Sequence, residues 1–282
     1  MGVLKSLWVG SVSMLVVLLV VALLIRLLEN RLTFFPSAVL EAHPDSYGLS
    51  YREMLLEPAG GGTVHGWYFP PARADAPVLV VFHGNAGNIS HRLDWIAPFV
   101  RRGLGALLFD YRGYGLSQGR PSEKSLQEDA LAVWDYLTGS AALPARRLVL
   151  FGRSLGSAPA CYLAVQRQVG GLILEGAFCR GSEMARRIFG FLPVHLVMKN
   201  RWEVAGMLSG VRVPTLIIHG TADEVVPFEF GKRLAQTKGP PRLEWWQVSG
   251  GGHLDLHFLL GESYYGRVER FAGEAVPGPA GL

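Results

Sequence analysis

The stretch Arg147–Ser157, RLVLFGRSLGS, constrains this chain more than any other. Leu148–Phe151 is a short apolar run of the kind a buried strand uses. It leads directly into Gly152-Arg153-Ser154-Leu155-Gly156, a G-x-S-x-G pattern, and small residues suited to a helix follow. Strand, very tight turn and helix in that order lift a serine Oγ clear of a sheet. Gly152 and Gly156 lack a Cβ, so strand and helix can approach closely around the serine. The helix N-terminus behind it offers free backbone N–H groups and a partial positive charge to a developing anion. A strand-to-helix turn without chemistry has the same pattern, so the rest of the chain must supply partners for Ser154.

Flanking segments set the fold class. Tyr51–Leu56 and Val64–Phe69 read as two strands around a Gly60-Gly61-Gly62 turn, an antiparallel hairpin. Val78–Phe82 is continuously apolar, as a strand covered on both faces should be. Helical spacing follows over Ile89–Arg102, then a strand over Gly105–Phe109. A second helix carries Leu126, Ala130, Val133, Trp134 and Leu137 on one face, with Ser125 and Glu128 as a capping box. Further strands are expected at Leu172–Leu174, Val213–His219 and Leu243–Val248, and a closing helix over Leu254–Phe271. Strands alternating with helices give an α/β fold, a mostly parallel central sheet with helices on both faces. The interruption at 176–211 holds two helix-like pieces around Pro193 and several aromatics, among them Phe178, Phe191 and Trp202. It reads as a possible small lid.

The amino terminus is of another kind. Ser6–Ile25 carries no charge and is rich in Leu and Val, long enough as a helix to cross a bilayer. No small-residue cleavage site follows Ile25, which favours an uncleaved single-pass anchor over a signal peptide or a core helix. The expected organisation is an anchor over 1–31, a membrane-proximal linker over 32–50, a catalytic domain over 51–271 and a disordered tail over 272–282. A short amino-terminal end left inside would put the catalytic domain on the extracytoplasmic side, though Arg26 and Arg31 after the span pull the other way.

Composition excludes several classes. The net charge is +4, and the arginines fall in scattered pairs rather than one block, so no nucleic-acid module is indicated. The two cysteines, Cys161 and Cys179, form no disulfide framework and no metal-type spacing. Cys161 reads as a small buried thiol. No cofactor or metal is expected.

Chain order then decides the chemistry. After Ser154 come Asp223 and His253, each just past the carboxyl end of an expected parallel strand, where such sheets carry their sites. His253 would take the Ser154 proton and return it to the leaving group. Asp223 would orient the His253 ring; Glu224 is the adjacent competitor, and the shorter side chain is preferred. Asp255 reads as a helix-start residue. An oxyanion hole would use the backbone N–H of Leu155 and one from the loop after Val78–Phe82, Asn85 or alternatively Ala86. His83 reads as structural. Asp110, Arg112 and Ser117 read as a loop-bracing network, with a substrate contact from Arg112 the sharper alternative.

With these residues in view, five stretches mark a resemblance. HGNAGN, DYRGYGLSQGRPSE, GRSLGS, HGTADEVVP and GGGH together resemble the membrane-anchored serine α/β-hydrolases. That family includes abhydrolase-domain lysophospholipid and monoacylglycerol lipases and protein depalmitoylases, and its members are often described as serine aminopeptidase-like. The resemblance covers about Phe34 to Phe271. It implies the α/β-hydrolase fold, a Ser154–Asp223–His253 triad, and acyl-ester or thioester substrates held near a lipid bilayer. A peptidase on the same machinery is the second reading. It needs a carboxylate site for a free amino terminus, and Glu183 is the only acid between Gly176 and Lys199. A catalytically inactive binding module is the third, disfavoured by the intact triad.

Overall fold

The computed structural model describes residues 2–190 and 194–276. Its centre is an eight-stranded sheet built from β1 (Arg52–Leu56), β2 (Val64–Phe69), β3 (Val78–Phe82), β4 (Gly105–Phe109), β5 (Leu148–Arg153), β6 (Gly171–Glu175), β7 (Thr215–Gly220) and β8 (Leu243–Val248). The spatial order is β8-β7-β6-β5-β3-β4-β2-β1. Only β1 against β2 and β2 against β4 run antiparallel. All other neighbours are parallel.

The pleat explains the continuous apolar runs. Alternate residues of a strand point to opposite faces, and here both faces are covered. Val78, Val80 and Phe82 enter one core with Leu126, Ala130 and Val133 of α3 (Glu123–Thr138) and Ala160 and Leu163 of α4 (Ser157–Gln166). Leu79 and Val81 enter the other, with Leu93, Ile96 and Phe99 of α2 (Leu93–Arg101) and Tyr264, Val268 and Phe271 of α10 (Glu262–Ala275).

Helix α1 spans Gly2–Thr33, so helical structure continues past the charged residues Arg26, Glu29 and Arg31. Its Trp8–Thr33 portion is long and apolar enough to cross a membrane. The chain beyond it is tied to the domain. Phe34 is buried, Phe35–Pro36 pairs in parallel with Ala86–Gly87, and His43 packs edge-on against Trp67.

Several boundaries differ from the sequence reading. The cap of α3 is Ser122, not Ser125: Ser122 Oγ accepts from Ser125 N at 3.0 Å, while Ser125 Oγ accepts from Ser122 N at 2.8 Å. Glu128 is drawn instead to Arg112, at 2.6 Å, a stronger partner than a backbone N–H. The 89–102 helix opens as a 3-10 turn, Ile89–Arg92, before α2. The closing helix is two helices, α9 (Leu256–Leu260) and α10, broken at Gly261 with φ +49°. α10 continues to Ala275 because Ala272 and Ala275 are buried, so the first four residues of the expected tail are helical. The last six, 277–282, lie outside the described residues.

The 176–211 insertion contains α5 (Gly181–Phe189), α6 (Val194–Val197) and α7 (Val204–Gly210). Phe191, Leu192 and Pro193 lie outside the described residues. α7 packs on α4 as part of the domain wall, while among the described residues α5, Met198 and Trp202 border the space at Ser154.

Candidate active site

Ser154 sits at the end of β5 with φ +53°, a left-handed conformation that costs a non-glycine residue about 1–3 kcal/mol. The surroundings hold it there. A Cβ on Gly152 would stand 2.7 Å from Ser157 Cα and 2.9 Å from Ala160 Cβ, and one on Gly156 would run into the Phe82 and His83 carbonyl oxygens. Both glycines are therefore required by close approach, and the turn they permit presents the serine side chain half-exposed at the carboxyl edge of the sheet.

Two loops from the same edge reach it. The loop after β7 carries Asp223, whose Oδ1 accepts from Val225 N at 2.9 Å and Val226 N at 2.7 Å. The loop after β8 carries His253. Its Nδ1 lies 2.8 Å from Asp223 Oδ2 and its Nε2 lies 2.9 Å from Ser154 Oγ. With Nδ1–H donating to Asp223, Nε2 is left to accept the serine proton, as a general base must. Glu224 is exposed, whereas Asp223 and His253 are buried. Burial works against the Asp223 carboxylate, but hydrogen bonds from His219 and His253, and the charge of His253, outweigh it and hold its pKa well below the usual range. His219 was not singled out from the sequence. Its Nε2 lies 2.9 Å from the Val226 oxygen and 3.3 Å from Asp223 Oδ2, bracing the carboxylate from behind.

A cavity of about 230 Å³ opens at Ser154. Phe178, Met184, Ile188, Met198, Trp202 and Val226 line it, and no charged side chain does among the described residues. Leu155 and Asn85 line it too, while Ala86 is exposed and engaged with Phe35. Tyr114 Oη donates to the Asn85 backbone oxygen at 2.7 Å, and Asn85 Nδ2 donates to Thr33 O, so this loop is pinned on both sides.

The remaining polar residues fall behind the site. Arg112 directs every donor into protein: Asp129, Glu128, and the Ala59, Gly61 and Ser125 oxygens. It braces loops and has no donor left for a substrate. His83 is buried against Tyr111 at 4.3 Å between ring centroids. Asp110 accepts from Ile89 N at 3.0 Å, and Ser117 Oγ donates to the Asp110 oxygen at 2.7 Å. Asp255 caps its turn by accepting from Gly252 N. Sequence reading missed one buried cluster. Arg153 pairs with Glu175 at 2.8 Å, lies over Trp95, and donates to the Leu254 oxygen at 2.8 Å, beside His253. Its signal was present: opposite charges in two strands otherwise wholly apolar.

The comparisons agree with this architecture. A family model described as serine aminopeptidase, S33, matches residues 73–209. An uncharacterized protein of Mycobacterium tuberculosis is 34% identical over 247 residues, covering 87% of this chain and 88% of its own. The α/β-hydrolase domain-containing protein WAV2 of Arabidopsis thaliana is 29% identical, with 91% of each chain covered. An uncharacterized membrane protein of Saccharomyces cerevisiae is 31% identical, covering 86% of this chain and 88% of its own. Among solved structures, the Pyrococcus furiosus esterase Pf2001 superposes with a TM-score of 0.73 at 17% identity, over 87% of this chain and 99% of that one. Sheet order, the elbow at Ser154 and these relatives converge: the chain belongs to the α/β-hydrolase family.

Proposed function

We propose that this protein is a serine hydrolase of carboxylic esters or thioesters with apolar acyl chains, held at a membrane by α1. The observation that carries the reading is the unbroken chain Ser154 Oγ–His253 Nε2 at 2.9 Å and His253 Nδ1–Asp223 Oδ2 at 2.8 Å, opening into an apolar cavity. Ser154 attacks the acyl carbonyl as His253 takes its proton. The tetrahedral oxyanion is met by the Leu155 and Asn85 backbone N–H groups. The protonated His253, steadied by the Asp223 carboxylate, returns the proton to the leaving alcohol or thiol. Water activated by His253 then releases the acid from the acyl-serine.

The apolar lining favours an acyl chain over a charged peptide terminus. Glu183, the only acid between Gly176 and Lys199, is committed to Arg233 at 2.5 Å. Membrane attachment is supported by the Trp8–Thr33 helix and by the yeast relative's description as a membrane protein. With its short amino-terminal end inside, α1 would put the catalytic domain on the extracytoplasmic side; glycosylation of an acceptor site added to the domain tests that orientation.

The deciding experiment is fluorophosphonate labelling of detergent-solubilised protein, wild type against Ser154→Ala, with a p-nitrophenyl ester series of increasing chain length. Labelling lost in Ser154→Ala, with turnover rising toward medium or long chains, is the expected result. A folded wild type that neither labels nor turns over any ester overturns the reading and leaves the inactive binding module.

A further inference from the structure

We infer that the carboxyl end of the membrane helix is a wall of the acyl cavity, and that Glu29 is the positioning residue that fixes this wall. The inference rests on the hydrolase reading above and goes beyond it by making the anchor part of the substrate site.

Glu29 is 5% exposed on a helix whose apolar side chains stand largely free of the domain. A charge is buried only where donors compensate it. Its carboxylate accepts from Lys199 N at 2.6 Å, Asn200 N at 2.7 Å and Asn200 Nδ2 at 2.8 Å. Asn200 Oδ1 in turn accepts from Glu123 N at 2.8 Å, and the Glu123 carboxylate accepts from Arg201 N at 2.6 Å and Trp202 N at 2.9 Å. The network holds Trp202 at φ +49°, left-handed backbone that an indole-bearing residue adopts only under constraint.

One turn further along, the helix end meets the cavity. Leu32 and Thr33 line it together with Met198 and Trp202. Phe34 packs edge-on against Trp202, with ring centroids 6.0 Å apart. Thr33 O accepts from Asn85 Nδ2, which ties the same turn to the oxyanion loop. The Glu29 clasp therefore fixes the helix end against the 198–202 segment, both of which line the cavity. Helical rise puts Thr33 about 10 Å beyond Arg26, the first charge after the apolar span. An acyl chain leaving the hydrocarbon would reach Ser154 along the helix that anchors the enzyme.

The test uses the full chain in detergent. Wild type, Glu29→Ala, Glu29→Gln and Leu32→Trp are compared for kcat and KM on p-nitrophenyl acetate and dodecanoate, with fluorophosphonate labelling of Ser154. Glu29→Ala takes the acceptor from Lys199 N, Asn200 N and one Asn200 Nδ2–H and loosens the wall, leaving Asn200 Nδ2 only Asn30 Oδ1 on the helix. The dodecanoate-to-acetate ratio of kcat/KM is expected to fall about tenfold, mostly through KM, with Glu29→Gln restoring much of it by keeping an acceptor. Leu32→Trp, at an exposed helix position, keeps the clasp and fills the cavity; it should move the optimum to shorter chains even if Glu29→Ala does not fold. An unchanged ratio in Leu32→Trp, or equal losses on both esters in Glu29→Ala, overturns the proposal and leaves α1 a tether. No labelling and no turnover in the wild type overturns the hydrolase reading, and this proposal with it.

Discussion

Arg153 and Glu175 occupy the same register position on the neighbouring strands β5 and β6 and form an ion pair at 2.8 Å with both side chains buried. The Glu175 carboxylate also accepts from Tyr264 Oη at 2.5 Å, and Trp95 Nε1 donates to that same oxygen at 3.1 Å. The cluster lies beside the residue that precedes the His253 loop's turn into α9, because Arg153 holds the Leu254 carbonyl.

Removing Arg153 leaves the buried Glu175 carboxylate without its counter-charge, with only the Tyr264 hydroxyl donating to it. Arg153→Met is expected to destabilise the protein by about 3–5 kcal/mol, whereas Arg153→Met with Glu175→Met should recover most of that loss. The double variant still lacks the hold on Leu254, so its kcat should stay reduced. Urea unfolding and ester turnover of the two variants separate the effects. Equal stability in the single and double variants would contradict the assignment.

Asp223→Asn should leave the fold intact and lower kcat by about 10⁴-fold at neutral pH, through the wrong His253 tautomer. It also has a stability signature. The carboxyl titrates lower in the folded state than in the unfolded chain. Its contribution is fully present above about pH 4 and is lost as pH falls through the lower folded value. The stability gap between wild type and Asp223→Asn should therefore narrow on acidification below about pH 4. Equilibrium unfolding at a series of acidic pH values reads it.

His257 gives a different pH window. Burial, then the charge of Arg153, lowers its pKa to about 4, against partial opposition from Asp94 and Asp255. Between that value and the unfolded value of about 6.5, the unfolded chain binds more protons, so stability rises with pH. Acidification across this window should cost about 3 kcal/mol, and His257→Gln should flatten the slope. A slope that survives in the variant would assign it to another group.

Gly156→Ala tests the elbow itself. The added methyl would meet the Phe82 and His83 carbonyl oxygens, which are backbone and have no rotamer to yield. The variant should lose at least about 2 kcal/mol of stability and its fluorophosphonate labelling together. Thermal unfolding followed beside labelling checks both; a stable, normally labelled variant would mean the turn relaxes at little cost.

The sequence by itself determined the features whose causes are local. Apolar runs bounded by turns marked β3 to β7, because a strand covered on both faces has no polar side. The G-x-S-x-G spacing marked Ser154, because a strand-to-helix turn this tight needs residues without a Cβ two positions to either side of the serine. Asp223 and His253 were legible as polar residues just past strand ends. Tertiary structure decided what depends on partners distant in the chain. Glu128 was drawn from the helix cap to Arg112, and Ser122 took its place. Gly261 broke the closing helix, and buried Ala275 extended it. Glu29 and Asn200 meet across 171 positions, and Arg153 reaches Leu254 across 101. No local periodicity encodes such pairs, since a buried charge reveals its purpose only when the fold brings the donors that compensate it.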